Sequence, residues 1–151
     1  MGQVASLIRV ERTAFEKVER TKKYPKTFAE EISVDKLWEP IMYVLGKGHL
    51  GRLPITNLFM PRKIIVTYQD EYMTEGIRYH DASDIAELFN AMENHSIEDL
   101  IAKVDVESMN SKIMYPIMES DLEEIKQHII QIRASLQKAI ENDQIIIASI
   151  N

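Results

Sequence analysis

Apolar side chains recur at steps of three and four through the last third of the chain: Leu122, Ile125, Ile129, Ile132, Leu136 and Ile140. That spacing predicts one long helix with a single apolar stripe. Ser120 followed three residues later by Glu123 has the capping-box arrangement, which puts the start near Ser120. Acids gather in the first turns and bases later, in the sense the helix dipole favours. Asn142-Asp143 supplies turn chemistry, and Gln144 to Ile150 is too short and too β-branched for a helix, so it reads as a buried strand. The stripe also fits a coiled-coil seam, but it covers too few heptads, and a core-facing helix is expected.

Upstream the pattern is shorter in period. Gln3 to Val10 is mostly apolar and β-branched and predicts a first strand, with Arg9 near its end. Glu11 to Lys23 predicts a helix with Ala14, Phe15 and Val18 inward, stopped by Tyr24-Pro25, and Lys26 to Ser33 reads as a connection. Asp35 is placed to cap a helix carrying Leu37, Trp38, Ile41, Met42 and Leu45, which Pro40 should bend and Gly46, Gly48 and Gly51 end. Arg52 to Lys63 is irregular, with a helical turn or two between Pro54 and Pro61. Ile64 to Tyr68 predicts a strand, Gln69 to Gly76 an acidic loop, and Ile77 to His80 a second short strand. Asp81 or Ser83 caps a helix with Ile85, Leu88, Phe89 and Met92 on one face, and Ser96 with Asp99 opens another short one. Strands at the start, middle and end with helices unevenly spaced predict α+β: a small mixed or antiparallel sheet covered by helices.

Composition narrows the picture. At 151 residues without an internal repeat or linker, one domain over 1–151 is expected. The absence of cysteine excludes disulfides, thiolate metal sites and a cysteine nucleophile. The chain has no secretory pattern and no apolar run of membrane-spanning length, which points to a soluble cytoplasmic protein. Met1-Gly2 with Ser6 fits a myristoylation pattern, but Val4, Leu7 and Ile8 read as core strand residues. A net charge of −6 argues against nucleic acid, and the basic clusters Lys22-Lys23 with Lys26 and Arg62-Lys63 read as solvated turns.

Several stretches in order resemble the YfbM-like family of bacterial proteins of unknown function. They are Ile8-Arg9-Val10 at the end of the first strand, Val34-Asp35-Lys36-Leu37-Trp38, Gly76-Ile77-Arg78-Tyr79-His80, and Met109-Asn110 followed by Met114-Tyr115-Pro116. The chain departs from the family pattern at Glu39, Pro40 and Ile41, where glycine and histidine are usual, and at Met118, where tryptophan is frequent. The resemblance implies a compact bacterial α+β domain and no agreed reaction.

Candidate chemistry is sparse. Gly46-Lys-Gly-His-Leu-Gly51 spells a dinucleotide fingerprint, with Asp70 near the ribose-acid position if Ile41 to Leu45 were a strand. Pro54 and Pro61 leave little room for the crossover helix, so helix termination is the expected role. His49, His80, His95 and His128 fall in separate elements without ligand spacing, so neither a metal nor a cofactor is expected. His128 and Glu124 read as an exposed pair one turn apart. Arg78, Tyr79, His80 and Asp81 concentrate polar groups at a strand-to-helix junction. Arg78, His80 and Tyr115 form the candidate ligand site if they converge, whereas Asn110 reads as bonding nearby backbone. Tyr68, Asp70, Glu71, Tyr72 and Glu75 make an acidic, aromatic segment suited to a basic protein partner.

Two functional readings stay open. Net negative charge and the lack of a catalytic signature favour a protein-binding domain, of the kind that neutralises a toxin-like effector, over an enzyme. The alternative is a small-molecule-binding protein or enzyme using the Arg78-to-Asp81 junction with Tyr115.

Overall fold

The apolar run near the end of the chain forms a strand, β5 (Ile145–Ile150), whose first four residues are all buried, so both faces of it are covered. A strand with two buried faces belongs in the middle of a sheet. The computed structural model, which describes residues 3–69, 71 and 74–151, places it there. β1 (Ala5–Val10), β2 (Glu30–Asp35), β3 (Lys63–Gln69), β4 (Thr74–His80) and β5 form one open antiparallel sheet in the order β2-β1-β5-β4-β3. The helices are α1 (Arg12–Thr21), α2 (Trp38–Leu45), α3 (Ala82–Glu93), α4 (Ile97–Ala102), α5 (Val106–Asn110) and α6 (Leu122–Asn142). The fold class is α+β, with an antiparallel sheet and a long helix leading into the final strand.

Two cores follow from strand alternation. Ala5, Leu7, Ile32, Val34, Ile146 and Ala148 share one face and pack with α2, α3, α5 and α6. Val10, Ile65, Ile77, Ile145 and Ile147 share the other, where α1 contributes Phe15 and Val18. Phe15 also meets Tyr79, ring centroids 4.7 Å apart and tilted by 54°. On α6 the buried stripe is Ile125, Ile129, Ile132, Leu136 and Ala139. Ile140, expected inward, is 46% exposed. At 100° per residue it stands about 60° from the centre of the stripe, and Ala139 takes the place.

Other local expectations are corrected by the structure. The expected connection from Lys26 to Ser33 ends early, because β2 begins at Glu30: Ile32 and Val34 point into the core and Glu31, Ser33 and Asp35 to solvent, a period-two edge strand masked by its acidic outer face. Asp35 caps no helix; it ends β2 in the left-handed region, φ 53°, and Leu37 precedes the first turn of α2. Pro40 lies within that first turn, where its missing N–H costs no intrahelical bond. Ser120 and Glu123 do not box α6, because Glu119–Asp121 form a 3-10 turn closed by the Met118 N–H donating to Asp121 Oδ2 at 2.8 Å. Thr74 to Gly76, expected in the acidic loop, are the start of β4.

One charge is built into the interior. Arg9, 8% exposed, leaves β1 on the α6 side. Its Nε donates to Ser135 Oγ at 3.3 Å and its Nη1 to Gln144 Oε1 at 2.6 Å. Gln144 Nε2 donates in turn to Glu11 Oε1 at 2.6 Å. Arg9 Nη2 lies 3.6 Å from Glu30 Oε1, a buried oxygen with no hydrogen bond among the described residues. The guanidinium thus ties β1, β2, α6 and the turn into β5 together. Truncating one member of such a network strands its partners. Arg9→Ala is expected to lower stability by about 3 kcal/mol, read from urea unfolding. A loss below about 0.5 kcal/mol, the ordinary range for a surface substitution, would show that the network carries no stability.

Candidate functional site

Arg78, His80 and Tyr115 each meet different neighbours. Arg78 and His80 leave β4 on the same side, two residues apart, but serve different surroundings. Arg78 is exposed, and its Nη1 donates to Pro61 O at 2.8 Å. It lines a cleft of about 310 Å³ with Tyr24, Trp38 and Gln3, where the sheet divides. It divides there because β4 pairs with β5 only through residues 78–80. His80 is 2% exposed, with Nε2 2.9 Å from Leu58 O. A carbonyl can only accept, so Nε2 carries a proton. Burial pushes the His80 pKa down, against the hydrogen bond to Leu58. Tyr115 lies beside the entry to α2, its ring centroid 5.7 Å from Lys36 Nζ.

Asp81 is the cap of α3. Its Oδ1 accepts from Asp84 N at 3.0 Å, and Asp84 Oδ2 accepts from Asp81 N at 3.1 Å. Lys63 Nζ joins both carboxylates, 3.2 Å from Asp81 Oδ2 and 2.8 Å from Asp84 Oδ2. Burial raises the Asp81 pKa, but the bonds from the Asp84 amide and Lys63 outweigh it and hold the carboxyl below its ordinary value. In the partner segment, Tyr68 belongs to β3, Glu71 and Glu75 are exposed, and Asp70 and Tyr72 lie outside the described residues. Asn110 does bond backbone: Nδ2 donates to Ile117 O and Oδ1 accepts from Ile117 N, both at 2.9 Å. That pair closes the loop carrying Tyr115 and Pro116.

The dinucleotide reading fails on secondary structure, because residues 41–45 are helical. The glycines serve a turn instead. Gly46 ends α2, and a Cβ there would collide with the His49 carbonyl oxygen. Lys47 and Gly48 follow with φ of 54° and 91°, so the chain folds back on the helix end. Gly48 N–H donates to Tyr43 O at 2.9 Å and His49 N–H to Gly46 O at 3.2 Å. This turn forms one wall of a cleft of about 390 Å³ whose other wall is the α3–α4 connection and α4.

The cleft gathers charges that are far apart in sequence. Lys47 comes from the turn, Lys103 from the end of α4, and His95 from between α3 and α4. Arg52 and Lys112 line the depression that adjoins it at Gly48. Lys112 Nζ is 5.6 Å from the Tyr43 ring centroid and 3.4 Å from Gly48 O. Partial burial and then the charges of Lys47, Arg52 and Lys103 push the His95 pKa down. Among the described residues, none of these three cations forms an ion pair, although the chain carries net −6. Sequence inspection misses this site because its cations are spaced by about five to fifty residues, and only packing α4 against α2 joins them. No group of three or more His, Asp or Glu among the described residues is arranged to hold a metal. Among the described residues no helix is long and apolar enough to cross a membrane.

A family model described as "Domain of unknown function (DUF1877)" matches residues 1–149, and the chain belongs to that family. The crystal structure of YfbM from Escherichia coli, a protein of unknown function, shares the fold at a TM-score of 0.63. Sequence identity is 10%, with 98% of this chain and 99% of that one covered. No curated protein matches the chain.

His80 gives a pH signature. Its pKa is depressed in the folded state, whereas the unfolded ring keeps about 6.5. Above that pH neither state holds the proton. As pH falls below it the unfolded state binds the proton first, and stability drops until the folded pKa is reached. Urea unfolding between pH 7.5 and 5 should show this loss, and His80→Gln should flatten it. An unchanged slope in the variant would remove His80 as its source.

Proposed function

We propose that this member of the DUF1877 family is a ligand-binding protein whose cleft between α2 and α4 holds an anionic group of a small molecule. The observation that carries this reading is the convergence of Lys47, Arg52 and Lys103 on His95, without carboxylate partners among the described residues, in an acidic chain. Unpaired cations repel one another, and a bound anion relieves that repulsion. Phosphate and carboxylate oxygens also accept charge-assisted hydrogen bonds from lysine, arginine and histidine. The cleft is concave and part apolar, with Val44, Leu100 and Val104 in its lining, as small-molecule sites are.

A second reading draws on a separate surface. β3 is an edge strand with Val66 exposed, and Glu71 and Glu75 are exposed beside it. Such an edge can accept a strand from a basic protein partner. This is the reading under which neutralisation of an effector belongs.

Titration calorimetry with inorganic phosphate and sulfate at low ionic strength tests the cleft. Binding in the millimolar range is expected, and Lys47→Gln with Lys103→Gln should weaken it about tenfold or more, since a hydrogen bond to a charged group contributes about 1.5 kcal/mol or more. A proton-NMR titration gives an independent sign. The bound anion offsets the field of the three cations, so the His95 pKa should rise on binding. Saturating phosphate that leaves the His95 resonances and their titration unmoved would refute the site.

A further inference from the structure

Taking that anion-binding reading as its basis, we infer that the ligand is amphoteric: a small molecule with an anionic group at one end and an ammonium at the other. The cleft is not uniformly cationic. Asp99 and Asp105 line it together with Lys47 and Lys103, so its own walls carry two formal positive and two formal negative charges. These charges are not spent on one another. Neither aspartate makes an ion pair among the described residues, even though Lys103, the residue that ends α4, stands one helical turn from Asp99. Asp105 Oδ1 caps α5 by accepting from Ser108 N at 3.2 Å, which leaves its other oxygen without a capping role. Asp99 uses only its backbone in capping: its N–H donates to Ser96 Oγ at 3.3 Å.

Lys47, Arg52 and Lys103 together push the His95 pKa down, and with Lys47 and Lys103 beside it in the lining the anionic group belongs next to His95. Asp99 and Asp105 line the same cleft and offer carboxylates to an ammonium. A ligand carrying only negative charge would face two aspartates, and like-charge juxtaposition is a standard device for rejecting a wrong partner. A ligand with an ammonium a few bonds from its anionic group satisfies both ends. The volume of about 390 Å³ equals that of about a dozen waters, which suits a molecule of this size.

Calorimetry with O-phosphoethanolamine and ethyl phosphate separates the ends, since the two share the phosphate and differ by the ammonium. O-phosphoethanolamine is expected to bind about tenfold more tightly, the contribution of one charge-assisted hydrogen bond. Asp99→Asn, a near-isosteric change at an exposed position, should abolish that advantage and leave ethyl phosphate binding unchanged or slightly tighter. Equal affinities of the native protein for the two compounds would overturn the inference while the anion-binding reading stands. An equal loss for both compounds in Asp99→Asn would overturn it in the same way. Failure of both compounds and of inorganic phosphate to bind would overturn the reading itself, and the inference with it.

Discussion

Burial of β5 on both faces is the constraint the rest of the fold answers. A strand that shows Ile145 and Ile147 to one side and Ile146 and Ala148 to the other needs two covers. α1 supplies one and α6 with its neighbours the other. β5 also needs a hydrogen-bonding strand on each edge, and β1 and β4 supply these. The turn that delivers β5 is well held. Asp143 takes a left-handed conformation at φ 53°, Arg12 Nε binds its carboxylate at 2.8 Å, and Gln144 receives the buried Arg9. Polar groups fix where β5 begins, and apolar ones supply the driving force.

How much of this was legible in the sequence depends on whether the signal was local. The stripe of α6 up to Leu136, the apolar, β-branched run of β1 and that of β5 are one-dimensional patterns that the structure bears out, and of the two expected caps for α3 it uses Asp81. β2 was hidden because its outward residues are Glu31, Ser33 and Asp35, types that turns also favour. The resemblance motifs mark places where the fold needs a particular residue. Asn110 clamps Ile117, and Trp38 Nε1 donates to Gln3 O at 3.2 Å, tying α2 to the start of β1. Those roles are structural, so the motifs gave the family and not the chemistry.

The cationic cleft was illegible for a different reason. Net charge is a sum over the surface and governs long-range steering, whereas recognition depends on charge within a few ångströms. Lys103 lies far along the chain from Lys47 and Arg52, so no short window of the sequence holds all three cations. Arg78, by contrast, attracted notice because polar residues adjoin it in sequence, yet its guanidinium is engaged by a backbone carbonyl.

Cations that form no ion pair repel one another, and folds normally remove such a cost by pairing. Here pairing was within reach. Asp99 lies one helical turn from Lys103, where a helix ordinarily forms an ion pair, and the two stay apart. The turn built on Gly46 and Gly48 adds to the contrast, since it holds Lys47 in a left-handed conformation at the cleft wall. Stability alone gives no reason to place a lysine there in a backbone region that glycine or asparagine occupies more readily. The lysine stands where the field it makes falls on His95 and on the space before it. On the anion-binding reading, charges left unpaired inside this concave, partly apolar surface are placed to meet a ligand from solution.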